Sequence, residues 1–267
     1  MKTTDFQETT ETKLKRIAWL SANDKHKIFN NLMHLVNEES LAASFSELDR
    51  KKAVGTDGIN KEDYGKELEI NLREFIGKLK SMSYRPGNIR RVLIPKEGKS
   101  GATRPLGISN FEDKLFQKVV QKILESIYEP IFLENSYGFR PGRGCHDAIR
   151  MLRQYTLENN VETIIDIDLA NFFESIDHKL LLEILQERIK DKRFTRYISR
   201  MLKAGVLSDG ELILTEEGTA QGSICSPILS NIFAHYVMDE WFEETVKLHC
   251  RGKVELFRYC DGTPVQA

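Results

Sequence analysis

The sequence has no C-x-x-C pair. Its four cysteines, Cys145, Cys225, Cys250 and Cys260, lie far apart, which argues against a zinc cluster or a redox dithiol and suits reduced, cytosolic thiols. There is also no basic leader followed by an apolar core, since residues 1–12 are polar and acidic, so a secretory signal is disfavoured. One uncharged run, residues 218–238, has the length of a membrane span, but Gln221, Ser223, Ser226, Pro227, Ser230, Asn231 and His235 make it too polar for hydrocarbon. It reads as buried in protein. Internal repeats, low-complexity stretches and clear linkers are missing too.

Net charge is almost missing: 39 Lys and Arg stand against 40 Asp and Glu, giving −1, which taken as an average argues against a strongly basic nucleic-acid binder. The average hides segregation. Residues 78–104 hold eight Lys or Arg and a single acid, Glu97, and residues 188–203 hold seven and a single acid, Asp191. Either block alone reads as a solvated helix face; two of them beside a phosphate chemistry would read as nucleic-acid surface.

The 267 residues, 40% hydrophobic and 30% charged, are enough for a buried core in one large domain or two small ones. Leu115, Phe116, Val119, Val120, Ile123, Leu124, Ile127 and Tyr128 form a 3.6-period stripe that predicts a helix over residues 113–128. Two short helices are expected over residues 14–36, one over 41–51 and one over 61–81. Residues 90–95 and 104–108 read as strands around a Gly/Lys loop, and residues 161–168, rich in β-branched side chains, as a short buried strand. Helices are expected near 179–190, 193–207 and from Pro227 to about 247, with loops over 208–210 and 218–223 and a last strand over 254–260.

In Ile164-Ile-Asp-Ile-Asp168 the alternation of a strand puts Asp166 and Asp168 on one face, and the last strand delivers Asp261 in the same way. Carboxylates at the ends of apolar strands need cations, metal or water. Two such strands suit a hard divalent ion with oxygen ligands, or are two ordinary strand-end turns that begin with Asp.

The string Ile167-Asp-Leu-Ala-Asn-Phe-Phe-Glu-Ser-Ile-Asp-His178, with Phe257-Arg-Tyr-Cys-Asp261 and Gly218-Thr-Ala-Gln-Gly-Ser-Ile-Cys-Ser-Pro227, resembles the reverse transcriptases, especially bacterial group II intron-encoded ones. Gly55-Thr-Asp-Gly-Ile59, Tyr84-Arg-Pro86, Ile94-Pro-Lys96, Arg104-Pro-Leu-Gly107 and Ser136-Tyr-Gly-Phe-Arg-Pro-Gly-Arg143 extend the resemblance over most of residues 50–261. It implies an α+β right-hand polymerase, helix-rich with a small antiparallel palm sheet: an N-terminal helical extension (1–54), fingers (55–160) and a partial palm (161–267).

The resemblance also implies an activity, RNA-directed DNA polymerisation by two-metal nucleotidyl transfer, with a maturase role on intron RNA. Asp168, Asp261 and the Leu169 carbonyl would hold two Mg²⁺ ions, with Asp166 a weaker candidate. Lys96 and Arg104 would bind the dNTP triphosphate, Gln221 its sugar and base region, and Phe173 would exclude a ribose 2′-hydroxyl. Phe172 reads as core. Arg140 and Arg143 would approach template phosphates, Arg90 and Arg91 would belong to a basic fingers surface, and Gly222 would permit close backbone approach. Implied partners are an RNA template, a DNA primer, dNTPs and group II intron RNA, in the bacterial cytoplasm and not at a membrane.

Two departures matter. Gly262 stands where the resemblance has a second aspartate, and the residues after it, which include Pro264, read as too short for the returning strand of a palm hairpin. The expectation is a chain truncated within the palm, without a thumb. A catalytically inactive RNA-binding fragment is the alternative function, and an RNA-dependent RNA polymerase a third that Phe173 disfavours.

Overall fold

The computed structural model describes residues 8–95, 101, 103–208, 210–219 and 222–260, and the backbone of 262–266. It opens with α1 (Thr10–Asn23), where the Thr9 hydroxyl caps the Thr12 amide, and α2 (Glu38–Glu47), closed at its start by a reciprocal Asn37–Ser40 capping box. The helix expected over 61–81 is two, α3 (Lys61–Gly65) and α4 (Leu68–Lys80), because the chain turns between Gly65 and Leu68. Next come β1 (Ile89–Pro95), β2 (Thr103–Ile108), α5 (Phe111–Tyr128) and α6 (Cys145–Asn159).

The second half runs β3 (Ile164–Asp168), α7 (Phe172–Ser175), α8 (His178–Arg188), α9 (Lys192–Leu202), β4 (Val206–Ser208), β5 (Glu211–Ile213) and α10 (Ser226–Ala234). Helical turns, including two of π geometry, carry α10 on to His249 before β6 (Glu255–Leu256) and β7 (Gly262–Gln266). The three-residue strands β4 and β5 are not among the expected elements: β4 begins inside the helix expected over 193–207, which ends at Leu202, and each is shorter than any alternation the eye can count.

The core is organised on α5. Its stripe Leu115, Phe116, Val120, Ile123, Leu124, Ile127 and Tyr128 is fully buried, with α1, α2 and α10 packed around it. The uncharged run expected to be internal is so, through Ile228, Leu229 and Ile232 of α10. Among the described residues no helix is long and apolar enough to cross a membrane. Asp191 joins distant parts of this core. One of its oxygens caps α9 through the Arg193 and Phe194 amides, and the other accepts from the Leu32 and Met33 amides at 2.7 and 3.0 Å. Burial would raise that carboxyl, but the four amide donors hold it below the usual range.

Two small sheets complete the fold. One is mixed, in the order β2-β1-β4-β5: β1 and β2 pair antiparallel from Arg90↔Ile108 to Pro95↔Thr103, and β1 pairs parallel to β4 at Ile89↔Val206. The other is antiparallel, in the order β3-β7-β6. The latter corrects the expectation that no returning strand exists. Five residues of β7 pair with all of β3, and Pro264 is tolerated because the β6 ladder covers only Val265 and Gln266. β3 is also not the buried strand expected: all five residues are exposed, including Ile164 at 57%, and its main neighbour among the described residues is the backbone of β7.

Candidate functional site

Asp168 ends β3 with its Cα paired to Gly262, the first residue of β7. Its carboxylate is exposed and makes no hydrogen bond or ion pair among the described residues, and the same holds for Asp166. Leu169 follows, half-buried against the core, and the chain reverses through Asn171 at φ +54° into α7. Asp261, Lys96 and Gln221 lie outside the described residues. Among those described, no group of three His, Cys, Asp or Glu side chains is gathered as a metal cluster.

The loop before Gly222 is tied to α7 by its backbone. Thr219 N donates to the Phe173 carbonyl at 2.7 Å and Gly218 N to the Ile176 carbonyl at 2.8 Å. The buried His178 adds Nε2–H to the Gly218 carbonyl at 2.6 Å. Gly218 has φ +87°, and a Cβ there would sit 3.0 Å from the Glu174 carbonyl oxygen. On its other side the loop meets the mixed sheet. Gly222 has φ +100°, and a Cβ on it would come within 2.6 Å of the Gly107 carbonyl oxygen. Its close approach is to β2 of this protein, and that contact by itself accounts for the glycine.

The expected residues thus fall on one path. β2 carries Arg104, exposed and paired in register with Ile94; Gly107 meets Gly222; Thr219 holds Phe173; and α7 follows directly on Asp168. Phe172 is buried as expected, whereas Phe173 is half-exposed, with its ring edge-on to Phe139 at 5.8 Å. Phe139, at φ +56° and 48% exposed, extends this aromatic wall. Sequence reasoning missed it, although an exposed aromatic between glycine and arginine in a Gly/Pro loop is the available signal. Behind the loop a cavity of about 290 Å³ is lined by Ile89, Pro105, Met201, Val206 and Leu229, with Arg91 also on its wall.

Arg140 is buried, with Nε and Nη2 on Glu129 and Nη1 donating to the Leu133 and Ser136 carbonyls at 2.6 and 2.7 Å, so its donors are consumed in shaping the loop. Arg143 is half-buried and paired with Glu134. Arg90 is half-buried, with Nε on the Val54 carbonyl at 3.0 Å, while Arg91 on the opposite face of β1 is exposed.

A buried ion pair holds the approach to residue 261. Arg258 donates to both oxygens of Asp239 at 2.8 Å and to Asn231 Oδ1 at 2.9 Å, with Arg258 and Asp239 each 1% exposed. Burial would raise the Asp239 carboxyl, but His235 and the Arg258 guanidinium hold it below the usual range. The backbone of Arg258 exchanges hydrogen bonds with the 135–137 segment, and Asn231 Nδ2 donates to the Gly138 carbonyl at 2.7 Å. A Cβ on Gly138 would overlap Cys260 N, so only glycine fits that crossing. The sequence signals for this network are an arginine inside an apolar strand and Asp239, the first charge after the uncharged run.

The chain is similar to known proteins. The family described as reverse transcriptase (RNA-dependent DNA polymerase) matches residues 94–265. The group II intron-encoded protein LtrA of Lactococcus lactis is 35% identical over 223 residues, 83% of this chain and 37% of that protein. An uncharacterized 91 kDa protein in the cob intron of Schizosaccharomyces pombe is 38% identical over 212 residues, 78% of this chain and 25% of that protein. Protein YkfC of Escherichia coli is 34% identical over 259 residues, 94% of this chain and 66% of that protein. The chain therefore spans little more than a third of the length of LtrA. A solved structure, a partial Cas6-RT-Cas1–Cas2 complex, shares the fold with a TM-score of 0.50 at 16% identity, over 87% of this chain and 37% of that one.

Proposed function

The chain belongs to the reverse transcriptase family, and from that premise we propose that it acts as an RNA-directed DNA polymerase of the group II intron type. Its substrates are an RNA template, a DNA primer and dNTPs, and it also holds intron RNA in the maturase manner. On this reading residues 1–54 form the N-terminal extension, 55–160 the fingers and 161–267 the palm, at work in the bacterial cytoplasm. The observation that carries the proposal is Asp168, an exposed strand-end carboxylate without a cation among the described residues, beside an aromatic wall and a loop clamped from both sides.

Mg²⁺ fits this donor chemistry, since a free carboxylate beside an adjacent main-chain carbonyl, that of Leu169, offers hard oxygen ligands. Bound there, Mg²⁺ would supply Lewis acidity to the primer 3′-hydroxyl and to the leaving pyrophosphate. Asp168 and Asp261 are their side-chain ligands on this proposal. Arg104 and Lys96 neutralise the triphosphate, and Gln221 contacts the incoming sugar and base. Phe173, held by Thr219 and backed by Phe139, narrows the space where a 2′-hydroxyl would sit.

The test is primer extension on an RNA template by the 267-residue chain with Mg²⁺ and dNTPs. Asp168→Asn should lower extension by about a thousandfold or more with an unchanged melting temperature, and Phe173→Ala should admit ribonucleotides. Extension indifferent to Asp168 would sink the proposal. A second reading, RNA binding without catalysis, is favoured by Gly262, which puts a residue without a side chain opposite Asp168. RNA binding with no extension, even by a Gly262→Asp variant, would decide for it.

A further inference from the structure

The basic block at residues 188–203 has no role in the mechanism above. Its first member, Arg188, is internal, with Nη1 on the Ile127 carbonyl at 2.9 Å and its guanidinium over the Tyr128 ring. Lys190 precedes α9, and the other five are ordered by that helix. At about 100° per residue, Lys192, Arg193, Arg196, Arg200 and Lys203 fall on one side of that helix, while Phe194, Tyr197 and Ile198 on the other are fully buried.

The same helix face abuts the end of the other basic block. Arg193 Nη2 donates to the Lys80 carbonyl at 2.7 Å, and Arg200 Nη1 to the Met82 and Tyr84 carbonyls at 3.0 and 2.9 Å. Exposed Lys80 and Arg85 thereby border α9, and two blocks more than 80 residues apart in sequence become one surface. Of these seven cations only Lys203 meets a carboxylate among the described residues, Glu216 at 2.7 Å. Like charges held together without counter-charges repel one another and attract a polyanion.

We propose that the α9 face with the end of α4 is a docking surface for double-helical RNA. The helix form follows from what the face omits. Its only aromatic rings, Phe194, Tyr197 and neighbouring Tyr84, are buried, so there is no platform on which single-stranded bases could stack. The cations, spread along about three helical turns, suit instead the regular phosphate rows of a duplex. The choice of RNA over DNA rests on the intron-type reading above.

The test compares Lys192→Gln/Arg196→Gln/Lys203→Gln with a charge-matched control, Lys25→Gln/Lys51→Gln/Lys253→Gln, at three scattered exposed sites. Binding to an RNA hairpin, a DNA hairpin of the same sequence and an unstructured RNA strand is measured by anisotropy across a salt series. The α9 triple should bind the RNA hairpin about ten- to a hundredfold more weakly and flatten the log–log salt slope by about 2 to 3. The unstructured strand and the control triple should change little. Equal losses in both triples, a loss confined to the DNA hairpin, or no loss at all would overturn the assignment. Should the triple fail to fold, Arg196→Gln alone should flatten the slope by about 1, and an unchanged slope would overturn it equally. Primer extension, read in parallel, tests the polymerase reading alone.

Discussion

α5 and β3 are both runs rich in branched apolar residues, yet the fold treats them oppositely. α5 buries its stripe under α1, α2 and α10, whereas every residue of β3 is exposed and its contacts are mostly the backbone ladder to β7. Hydrophobicity thus supports stability in one place and in the other merely accompanies a pair of carboxylates. Stability should reside in the helical body, and chemistry in a sheet that contributes little to it.

The sharpest way to break this comparison is a pair of truncations. Phe116→Ala on α5 should cost about 3–5 kcal/mol, and Ile167→Ala on β3 less than about 1 kcal/mol, both read by denaturant titration. Similar costs would show that the sheet shares the core. Arg258→Ala probes the join between the two regions. It leaves Asp239 charged and buried and should cost about 3–5 kcal/mol. Hydrogen exchange should quicken first at Tyr137, whose amide donates to the Arg258 carbonyl, while α5 stays protected.

Acid tests the helical body in a different way. Burial pushes the Asp113 carboxyl up to about 6, although the Tyr84 hydroxyl and the Gly87 amide donate to it. The folded protein therefore binds this proton more tightly than the unfolded chain, whose Asp titrates near ~3.9. The resulting stability is fully present below about pH 4 and is lost as pH rises through about 6, a span on the order of 3 kcal/mol. Asp113→Asn should flatten the unfolding free energy across that window; an unaltered profile would place the dependence elsewhere. The smallest effect is in thiol labelling. Cys145 and Cys250 are exposed and should react first, Cys260 more slowly, and Cys225, buried with its pKa raised by burial, only on unfolding.

Much of this was legible in the sequence because it is periodic. The α5 stripe needs nothing beyond local spacing, and the motifs around Asp168, Phe173 and Gly222 are short, ordered strings. What escaped is long-range. Nothing local distinguishes Arg140, which turns inward onto Glu129, from Arg143 three residues later. The pairing of Arg258 with Asp239 depends on a helix returning beneath a strand. Burial of β3 was overestimated because an apolar strand states its own preference and not whether a partner layer is present. The residues after Gly262 read as too short and carry Pro264, yet five residues suffice to pair with β3, and the register leaves Pro264 outside the β6 ladder.

The parallel pairing of β1 with β4 has a consequence in time. Ile89 and Val206 touch across well over a hundred intervening residues, and β3 is closed by a strand nearly as distant. As the chain leaves the ribosome, the β1–β2 hairpin and the packing of α1 and α2 on α5 can form from neighbours already made. The acid-bearing strand must wait with its edge open. The order of synthesis therefore sets the order of assembly: much of the helical body first, and the strand that carries Asp168 fixed among the last.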